Sequence, residues 1–402
     1  MRFLYELRVK IRRSIEDRNL RMLLLTNFSK NFSTSLINPL MPLFISSLGA
    51  NKLEVSLVLS ASSTASVFLL VPSGILADRY GKKKTILTSI ILSFVSPFFF
   101  ALSTEWEQII PWAILFSASA AIYFPAKDSI IADYTTAENR PMFYSAINMA
   151  LCAASIIAPI IGGFIIDNYG WACSFYLVIL TSAICLIFAL GLTETTGKGE
   201  STTKRRKDID LRGQYLRILA FFVIYYICLG ISLAIFFMAI PLYLEDRFHM
   251  NKTQIGLFFS AGMGLTPLLT QIPSGRIVKR FGGRRSLLLY IMMIIPTLIA
   301  WPSIQRSSAL LALMIIFGGL YAMTWVAEAT LIMSLVPSSL RGFSSAVTYT
   351  ALSVGRTIGP IVAGSVWTYL GSEAVFYLSA LFLSLCIPPI FLIKQQPNKR
   401  ED

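Results

Sequence analysis

Carboxylates inside long apolar stretches are the residues of this sequence with the clearest chemistry. Asp128 follows Lys127 within one such stretch, and Glu328 lies within another. A carboxylate that is removed from water favours its protonated form, so these two acids are the candidates for a group that takes up and releases a proton. Glu328 is the first choice, because Tyr321 and Trp325 precede it on adjacent helical turns. Their rings form either an aromatic wall for a ligand or ordinary packing.

The elements that carry these residues have the composition of membrane-spanning helices. The chain has 402 residues, of which 55% are hydrophobic and 14% are charged, whereas a soluble protein carries about a quarter charged residues. A helix needs about 20 apolar residues to cross a bilayer, and its backbone polar groups must be bonded internally. Twelve helices are predicted, at residues 20–48, 55–77, 85–103, 108–133, 141–167, 172–193, 215–244, 253–278, 286–304, 309–336, 342–369 and 374–394.

Positive charge is concentrated on one side of these predicted helices. The net charge is +14, from 35 lysines and arginines against 21 aspartates and glutamates. Most of the basic residues fall in the N-terminal segment, the central linker, the C-terminus and the loops near 79–84 and 276–285. Because basic loops are retained in the cytoplasm, both termini of a multi-pass cell-membrane protein are predicted to be cytoplasmic. The charge attracts anionic lipid headgroups, and its location argues against nucleic acid as a partner.

The two halves of the chain repeat each other. A polar linker at 194–214 separates predicted bundles at 20–193 and 215–394, with a basic N-terminus at 1–19 and a tail at 395–402. Matching segments recur about 200 residues apart and start at Pro42 and Pro241, Asn51 and Asn251, Pro72 and Pro273, Arg140 and Arg341, and Pro159 and Pro360. Each half has an even number of helices, so both insert with the same orientation. Parallel repeats of this kind bind substrate near mid-bilayer, between the halves.

The repeat makes Lys127 and Glu328 equivalent positions with opposite charge. Both lie about six to nine residues from the cytoplasmic end of their predicted helix, or roughly 9–13 Å deep. One hypothesis is a gate pair that forms when the cytoplasmic side is closed and separates when it opens, because breaking a buried pair is costly. The alternative is that each residue pairs within its own half.

A loop signature after the second predicted helix points to a family. Residues 74–84 read GILADRYGKKK, and a degenerate copy follows at 275–285. The pattern resembles the major facilitator superfamily through Gly74, Asp78, Arg79, Gly81 and Lys83. Over essentially the whole chain, the resemblance implies an all-α membrane protein of two pseudo-symmetric six-helix bundles that rock about a central cavity without an ATP site. It also implies that Asp78 meets the start of helix eleven, near Gly342; the alternative is that these charges only set topology.

A polar face on the first predicted helix marks a candidate cavity wall. Its residues recur at three- and four-residue spacing and therefore share one side: Asn27, Lys30, Asn31, Thr34 and Asn38. These side chains are too costly to place against lipid, so they line either a cavity or a contact between helices. Arg356 in the eleventh helix is either a contact for an anionic substrate or the partner of a carboxylate. Basic residues outnumber acidic ones inside the predicted helices, which favours neutral or anionic substrates.

The fifth predicted helix carries small residues around a proline, ASIIAPIIGG at 154–163. This segment resembles the antiporter motif of the same superfamily, although Ala158 stands where the motif has glycine. The residues that carry the match are Pro159, Gly162 and Gly163, with a related step at Gly359 and Pro360. The match favours efflux. The membrane arginine usual in helix four of proton-coupled exporters has no counterpart between Glu107 and Lys127, which leaves the proton-handling arrangement open.

Together these features predict a secondary active transporter that exports a small organic solute in exchange for protons. Proton-coupled uptake of a sugar or organic anion is the alternative, and a membrane sensor on a transporter fold is a further one. The expected partners are the solute, protons and membrane lipids, and the protein is expected to be a monomer without cofactor or metal. The sequence shows no nucleophile–base or metal-ligand pattern, so an enzyme is not expected.

Overall fold

A computed structural model describes residues 18–135, 140–194, 213–336 and 340–392. Every regular element in these ranges is a helix. Most of the predicted N-terminal segment, the linker and the whole predicted tail lie outside the described residues. The all-helical architecture predicted from the long apolar stretches is confirmed.

The chain divides into two compact units. One comprises Met1–Asp208 and Ile240–Leu265, and the other comprises Ile209–Ala239 and Thr266–Asp402. The division inside the second half falls beside Pro241, which removes a backbone donor from its helix, and at the end of a π-helical stretch. Part of the predicted second bundle therefore groups with the first unit.

The first unit is built from helices on both sides of the central linker. Its helices are α1 Arg18–Ile37, α2 Met41–Ser47, α3 Lys52–Tyr80, α4 Lys82–Leu102, α5 Ile109–Tyr134, α6 Arg140–Leu190, the end of α7 Gly213–Phe248, and α8 Lys252–Phe259, which the π-helical Ser260–Leu265 follows. Short 3-10 turns at Asn38–Leu40 and Trp106–Gln108 precede α2 and α5. Edge-to-face rings of Phe44 and Phe175, 4.7 Å apart, lie in its core.

The second unit packs around buried aromatic rings. Its helices are most of α7, α9 Thr266–Phe281, α10 Gly283–Ala300, α11 Ser307–Leu335, α12 Arg341–Leu370, α13 Ser372–Ser384 and α14 Ile387–Leu392. The ring of Phe236 lies 4.2 Å from that of Phe317 and 5.3 Å from that of Trp301. All three side chains are buried, so they fix α7 against α11 and the end of α10.

Helix α6 is long enough for two membrane passes. It runs for 51 residues, but Gly170 interrupts it with φ of +83°. A straight helix of that length would extend roughly 75 Å, more than twice the hydrocarbon thickness of a bilayer. A positive φ is readily adopted by glycine, so the residue type explains the break.

Membrane-spanning character is spread along the described chain. Nine helical segments in the described ranges are long and apolar enough to cross a bilayer, and one of them, Phe143–Leu190, includes the break in α6. Helices α1 and α12 are not in this set, and both are rich in serine, threonine and other polar residues. The multi-pass prediction is confirmed, whereas the count of twelve stays a prediction.

Equivalent asparagines of the sequence repeat begin α3 and α8 in the same way. The Asn51 side chain accepts from the backbone N–H of Glu54, and the Glu54 carboxylate accepts from the backbone N–H of Asn51. Asn251 and Gln254 form the same reciprocal pair. Each pair satisfies donors at a helix start, so the sequence repeat has a structural counterpart here.

Close packing of α6 against α1 depends on Gly162. A Cβ atom at this position would lie 2.1 Å from the backbone oxygen of Leu36. Gly162→Ala is therefore expected to lower the free energy of unfolding by about 1–3 kcal/mol, measured by thermal denaturation of the purified protein. Gly275→Ala is the control, because nothing lies within 4 Å of its added Cβ. Equal stability of the two variants would contradict the prediction.

Candidate functional site

Glu328 is held inside the second unit by two tyrosines. It lies on α11 with 8% of its surface exposed. The hydroxyl of Tyr225 donates to Oε1 at 2.6 Å, and the hydroxyl of Tyr226 donates to Oε2 at 3.0 Å. Both tyrosines are buried on α7. Adjacent residues of one helix thus direct their hydroxyl groups to the two oxygens of a single carboxyl group on another.

Two opposing effects act on the charge of this carboxyl group. Burial disfavours the ionised form, because it removes the group from water. The two phenol donors stabilise the ionised form, because hydrogen bonds to a charged acceptor are strong. A carboxyl group in this position can change protonation state when its access to water changes. The sequence identified Glu328 but not its partners, since a tyrosine pair within an apolar helix has no distinguishing spacing.

Aromatic rings continue along α11 from the buried core towards Glu328. Phe317, Tyr321 and Trp325 occur at four-residue intervals, with ring centroids 6.0 Å and 5.3 Å apart. Tyr321 is buried, whereas 37% of Trp325 is exposed. These contacts form a row of rings whose last member is partly exposed, and the role of the row as a wall for a ligand stays a prediction.

Arg356 is an exposed cation in the middle of α12. Its guanidinium interacts with the hydroxyl of Tyr321, which also interacts with the indole of Trp325. Within the part of the chain that the structure describes, Arg356 forms no ion pair with a carboxylate. An exposed charge at this depth requires water or a polar partner rather than lipid.

A polar face of α12 surrounds Arg356. Tyr349 and Ser353 precede it by seven and three residues, so the three side chains share one side of the helix. Tyr349 and Arg356 are exposed, and Ser353 is half-buried. The i, i+4, i+7 spacing was available in the sequence and is a signal that sequence reasoning missed.

Lys127 and Asp128 contact each other in the first unit. The Nζ atom of Lys127 lies 3.4 Å from Oδ1 of Asp128 and 5.2 Å from the centroid of the Phe124 ring. Lys127 is 8% exposed, whereas about half of the Asp128 side chain is exposed. Glu328 has its own partners in the other unit. The pairing of Lys127 with Glu328 stays a prediction.

The predicted polar face of α1 contains two kinds of contact. The Asn27 side chain donates to the backbone oxygen of Ile147 at 3.4 Å, which joins α1 to α6. Asn31 and Thr34 donate to backbone oxygens of α1 itself, at 2.7 Å and 3.0 Å, and Asn38 is exposed. Asn27 therefore contacts another helix, whereas Asn31 and Thr34 contact only their own. The role of this face as a cavity wall stays a prediction.

Lys30 is the charged member of that face, and it is buried. Its exposure is 4%. The Nζ atom donates to the hydroxyl of Ser119 on α5 at 3.0 Å. Among the described residues it has no carboxylate partner. A buried ammonium group with a neutral partner is energetically expensive, which points to a role other than stability.

The loop signature is held within the first unit. Gly81 adopts φ of +103° between α3 and α4. Lys82 forms an ion pair with Asp133 at 2.5 Å. The Glu194 carboxylate accepts from the backbone N–H of Lys83 at 3.2 Å. The sequence interpretation gave these lysines a topological role only, and the structure adds fixed partners at the ends of α5 and α6.

The acid of the signature points away from these contacts. Asp78 and Arg79 are exposed at the end of α3. A Cβ added to Gly74 would make an ordinary van der Waals contact with Pro125 at 3.9 Å. The partner predicted for Asp78 lies near Gly342, whose side-chain environment is outside the described residues. That contact stays a prediction.

The antiporter-like segment of α6 packs directly against α8. A Cβ on Gly163 would lie 2.2 Å from the Lys252 backbone oxygen, and one on Gly256 would lie 2.2 Å from the Pro159 backbone oxygen. Beyond this crossing, the Asp167 carboxylate accepts from the backbone N–H groups of Lys252 and Thr253 at 3.0 Å and 2.8 Å. A carboxylate at the start of α8 is favoured by the helix dipole.

A second close crossing in the second unit involves α7 and α12. A Cβ on Gly359 would lie 2.7 Å from the Ile231 backbone oxygen, and one on Gly355 would lie 2.3 Å from that of Ile227. Pro360 follows within the same helix. This crossing places α12, with Arg356 on it, beside the helix that carries Tyr225 and Tyr226. No cluster of histidine, cysteine or acidic residues suited to a metal occurs among the described residues.

Comparison with known proteins assigns the chain to a family. A protein-family sequence model described as Major Facilitator Superfamily matches residues 23–243 and 222–402. The protein therefore belongs to the major facilitator superfamily, as the loop signature indicated, and it is a membrane transporter rather than an enzyme.

Individual relatives are distant but nearly full-length. The chain is 23% identical over 384 residues to "Multidrug resistance protein 1" of Bacillus subtilis, covering 93% of this chain and 96% of that protein. It is 23% identical over 375 residues to "Quinolone resistance protein NorA" of Staphylococcus aureus, covering 90% and 92%. Its fold matches the crystal structure of the nucleoside transporter NupG with a TM-score of 0.77 at 16% identity, covering 94% of this chain and all of that one.

Proposed function

We propose that this protein exports a small organic solute across the cell membrane in exchange for protons, by alternating access. The observation that carries the proposal is the buried Glu328 carboxyl group, held by Tyr225 and Tyr226 within helices that cross the membrane. The relatives whose names record drug resistance support the outward direction. The proposal has both termini in the cytoplasm, which the distribution of basic residues along the sequence supports.

Glu328 supplies the proton-coupling step in this proposal. When the carboxyl group is open to the outside, it binds a proton, and the tyrosine hydroxyls lose a charged acceptor. When it is open to the cytoplasm, it releases the proton, and both hydroxyls again donate to a carboxylate. These two hydrogen bonds join α7 to α11, so their change gives the second unit two states. Protonation of Glu328 shifts the equilibrium between them.

Drug susceptibility of cells tests the direction of transport. Cells that express the protein are expected to survive higher concentrations of some members of a panel of toxic organic compounds, and expression of Glu328→Gln is expected to give no protection. The resistance should fall when an uncoupler removes the proton gradient. Growth on a nutrient that depends on the protein, without any resistance, would instead establish proton-coupled uptake.

Charge exchange tests the gate pair of Lys127 and Glu328. If the two side chains meet in one state of the transport cycle, Lys127→Glu and Glu328→Lys should each lower compound-dependent export at least about tenfold, because each leaves an unpaired buried charge. The double variant should recover part of the loss. Absence of any recovery would contradict the gate pair and would favour the within-unit contacts, Lys127 with Asp128 and Glu328 with the tyrosines.

A further inference from the structure

An aromatic ring and a cation lie side by side on the exposed face of the second unit. The Trp325 indole and the Arg356 guanidinium both interact with the hydroxyl of Tyr321. The Tyr321 and Trp325 rings are packed edge to face, with centroids 5.3 Å apart and an angle of 80°. Tyr321 is buried and therefore fixes the positions of both exposed groups.

The guanidinium retains donors for a ligand. Tyr321 supplies one hydroxyl oxygen, whereas a guanidinium has five N–H donors in a planar fork. No carboxylate of the described residues is within ion-pair distance of Arg356, and the acid of this region, Glu328, is occupied by Tyr225 and Tyr226. The open alternative that Arg356 serves as the partner of a carboxylate therefore has no support among the described residues of the second unit.

The neighbouring surface is suited to a flat ligand. Trp325 is 37% exposed and can stack with a ring, while Tyr349 and Ser353 add an aromatic group and a hydroxyl on the same side of α12 as Arg356. A planar guanidinium binds a carboxylate or sulfonate with two parallel hydrogen bonds, and it repels a cation. The combination selects for an aromatic body that carries a negative group.

We propose that Arg356 and Trp325 form a binding subsite for aromatic organic anions, with Tyr321 as a positioning residue. The subsite deepens the proposed export function, because it names the class of solute that the transporter carries. The anion occupies the fork of Arg356, and its ring lies against the indole of Trp325. Glu328 is a separate group, three residues after Trp325 on α11, and it carries the proton rather than the solute.

Equilibrium binding to the purified full-length protein in lipid nanodiscs tests the subsite. The probes are 2-naphthoate, its neutral amide 2-naphthamide, and the cation 2-naphthylmethylammonium, which share one ring system. The wild-type protein is expected to bind the carboxylate at least about tenfold more tightly than the amide, a difference of about 1.4 kcal/mol. The cation should bind most weakly.

Substitutions at two positions separate the role of the charge from that of the ring. Arg356→Gln should reduce the ratio of carboxylate to amide affinity to about one, and Arg356→Lys should retain part of it. Trp325→Leu should weaken both compounds by a similar factor and leave the ratio unchanged. Arg306→Gln, on an exposed arginine at the start of α11, is the matched control and should leave all affinities unchanged. Thermal denaturation of each variant verifies folding, and Arg356→Lys keeps the test valid if the glutamine variant does not fold.

Several results would overturn the subsite. They are a carboxylate-to-amide ratio that survives Arg356→Gln, a cation that binds best to the wild-type protein, or no binding of any naphthyl compound. The proposed export function has an independent readout, since binding is measured without a gradient. If the binding prediction fails while resistance still depends on Glu328, the solute class is wrong and the export proposal stands.

Discussion

Glu328→Gln is expected to abolish proton-coupled transport while leaving the protein folded. Glutamine has nearly the same shape and can accept a hydrogen bond from Tyr225 or Tyr226, but it cannot bind and release a proton. A transporter that needs this step for each cycle should lose at least about two orders of magnitude in proton-coupled flux, the scale of a lost proton-transfer group. Movement of solute without a proton should persist, because the solute surface around Trp325 and Arg356 is intact.

Proteoliposomes with a pH-sensitive dye inside provide the measurement. The test compound is one against which the wild-type protein confers resistance in cells. For the wild type, adding it to vesicles with an imposed pH gradient should accelerate the decay of that gradient. For Glu328→Gln, the compound should have no effect on the gradient, while exchange of labelled for unlabelled compound continues without one.

Three control variants make the result specific. Glu107→Gln removes a carboxylate that is exposed before α5 and should behave as the wild type. Tyr225→Phe and Tyr226→Phe each keep the carboxylate but remove one donor, at 2.6 Å or 3.0 Å, and should shift the pH dependence of transport without abolishing it. Undiminished proton flux in Glu328→Gln would move the coupling role to Asp128, the second candidate.

How much of this site the sequence predicts depends on the type of residue. Charges within apolar helices are conspicuous because lipid penalises them, and this picked out Lys30, Lys127, Glu328 and Arg356. Their partners are not conspicuous: Tyr225, Tyr226 and Ser119 are ordinary residues of apolar helices. They meet the charges only through packing between helices more than 80 residues apart.

The fold shows the same division. The apolar runs predicted the helices, because this signal is local in the chain. The sequence marks Asn51 and Asn251 only as matching positions of the repeat, and the structure shows that both cap a helix. The grouping of Ile240–Leu265 with the first unit arises from glycines that admit a neighbouring backbone, such as Gly256 against Pro159. Such contacts depend on which helices become neighbours, and a repeat in the sequence carries no information about them.

Lys30→Met is expected to stabilise the protein and to impair transport. The ammonium group of Lys30 is 4% exposed and donates to the hydroxyl of Ser119, which itself donates to the Phe116 backbone oxygen at 2.6 Å. Methionine has a similar length and needs no hydrogen bond, so it removes the cost of burying a charge. The expected gain is roughly 1–4 kcal/mol in the free energy of unfolding, the range found when buried ionic groups are replaced by apolar ones.

Denaturation and transport of the same preparations separate the two effects. Ser119→Ala should lower stability, because it leaves the buried ammonium without its hydroxyl partner. Lys84→Met changes an exposed lysine at the start of α4 and should alter neither property. Lower stability in Lys30→Met would mean that the charge is satisfied in the folded protein. Higher stability with unchanged transport would mean that Lys30 destabilises the fold and has no role in transport. Higher stability with lost transport establishes that α1 retains this cation for the transport cycle, since a charge that destabilises the fold is kept only where it acts.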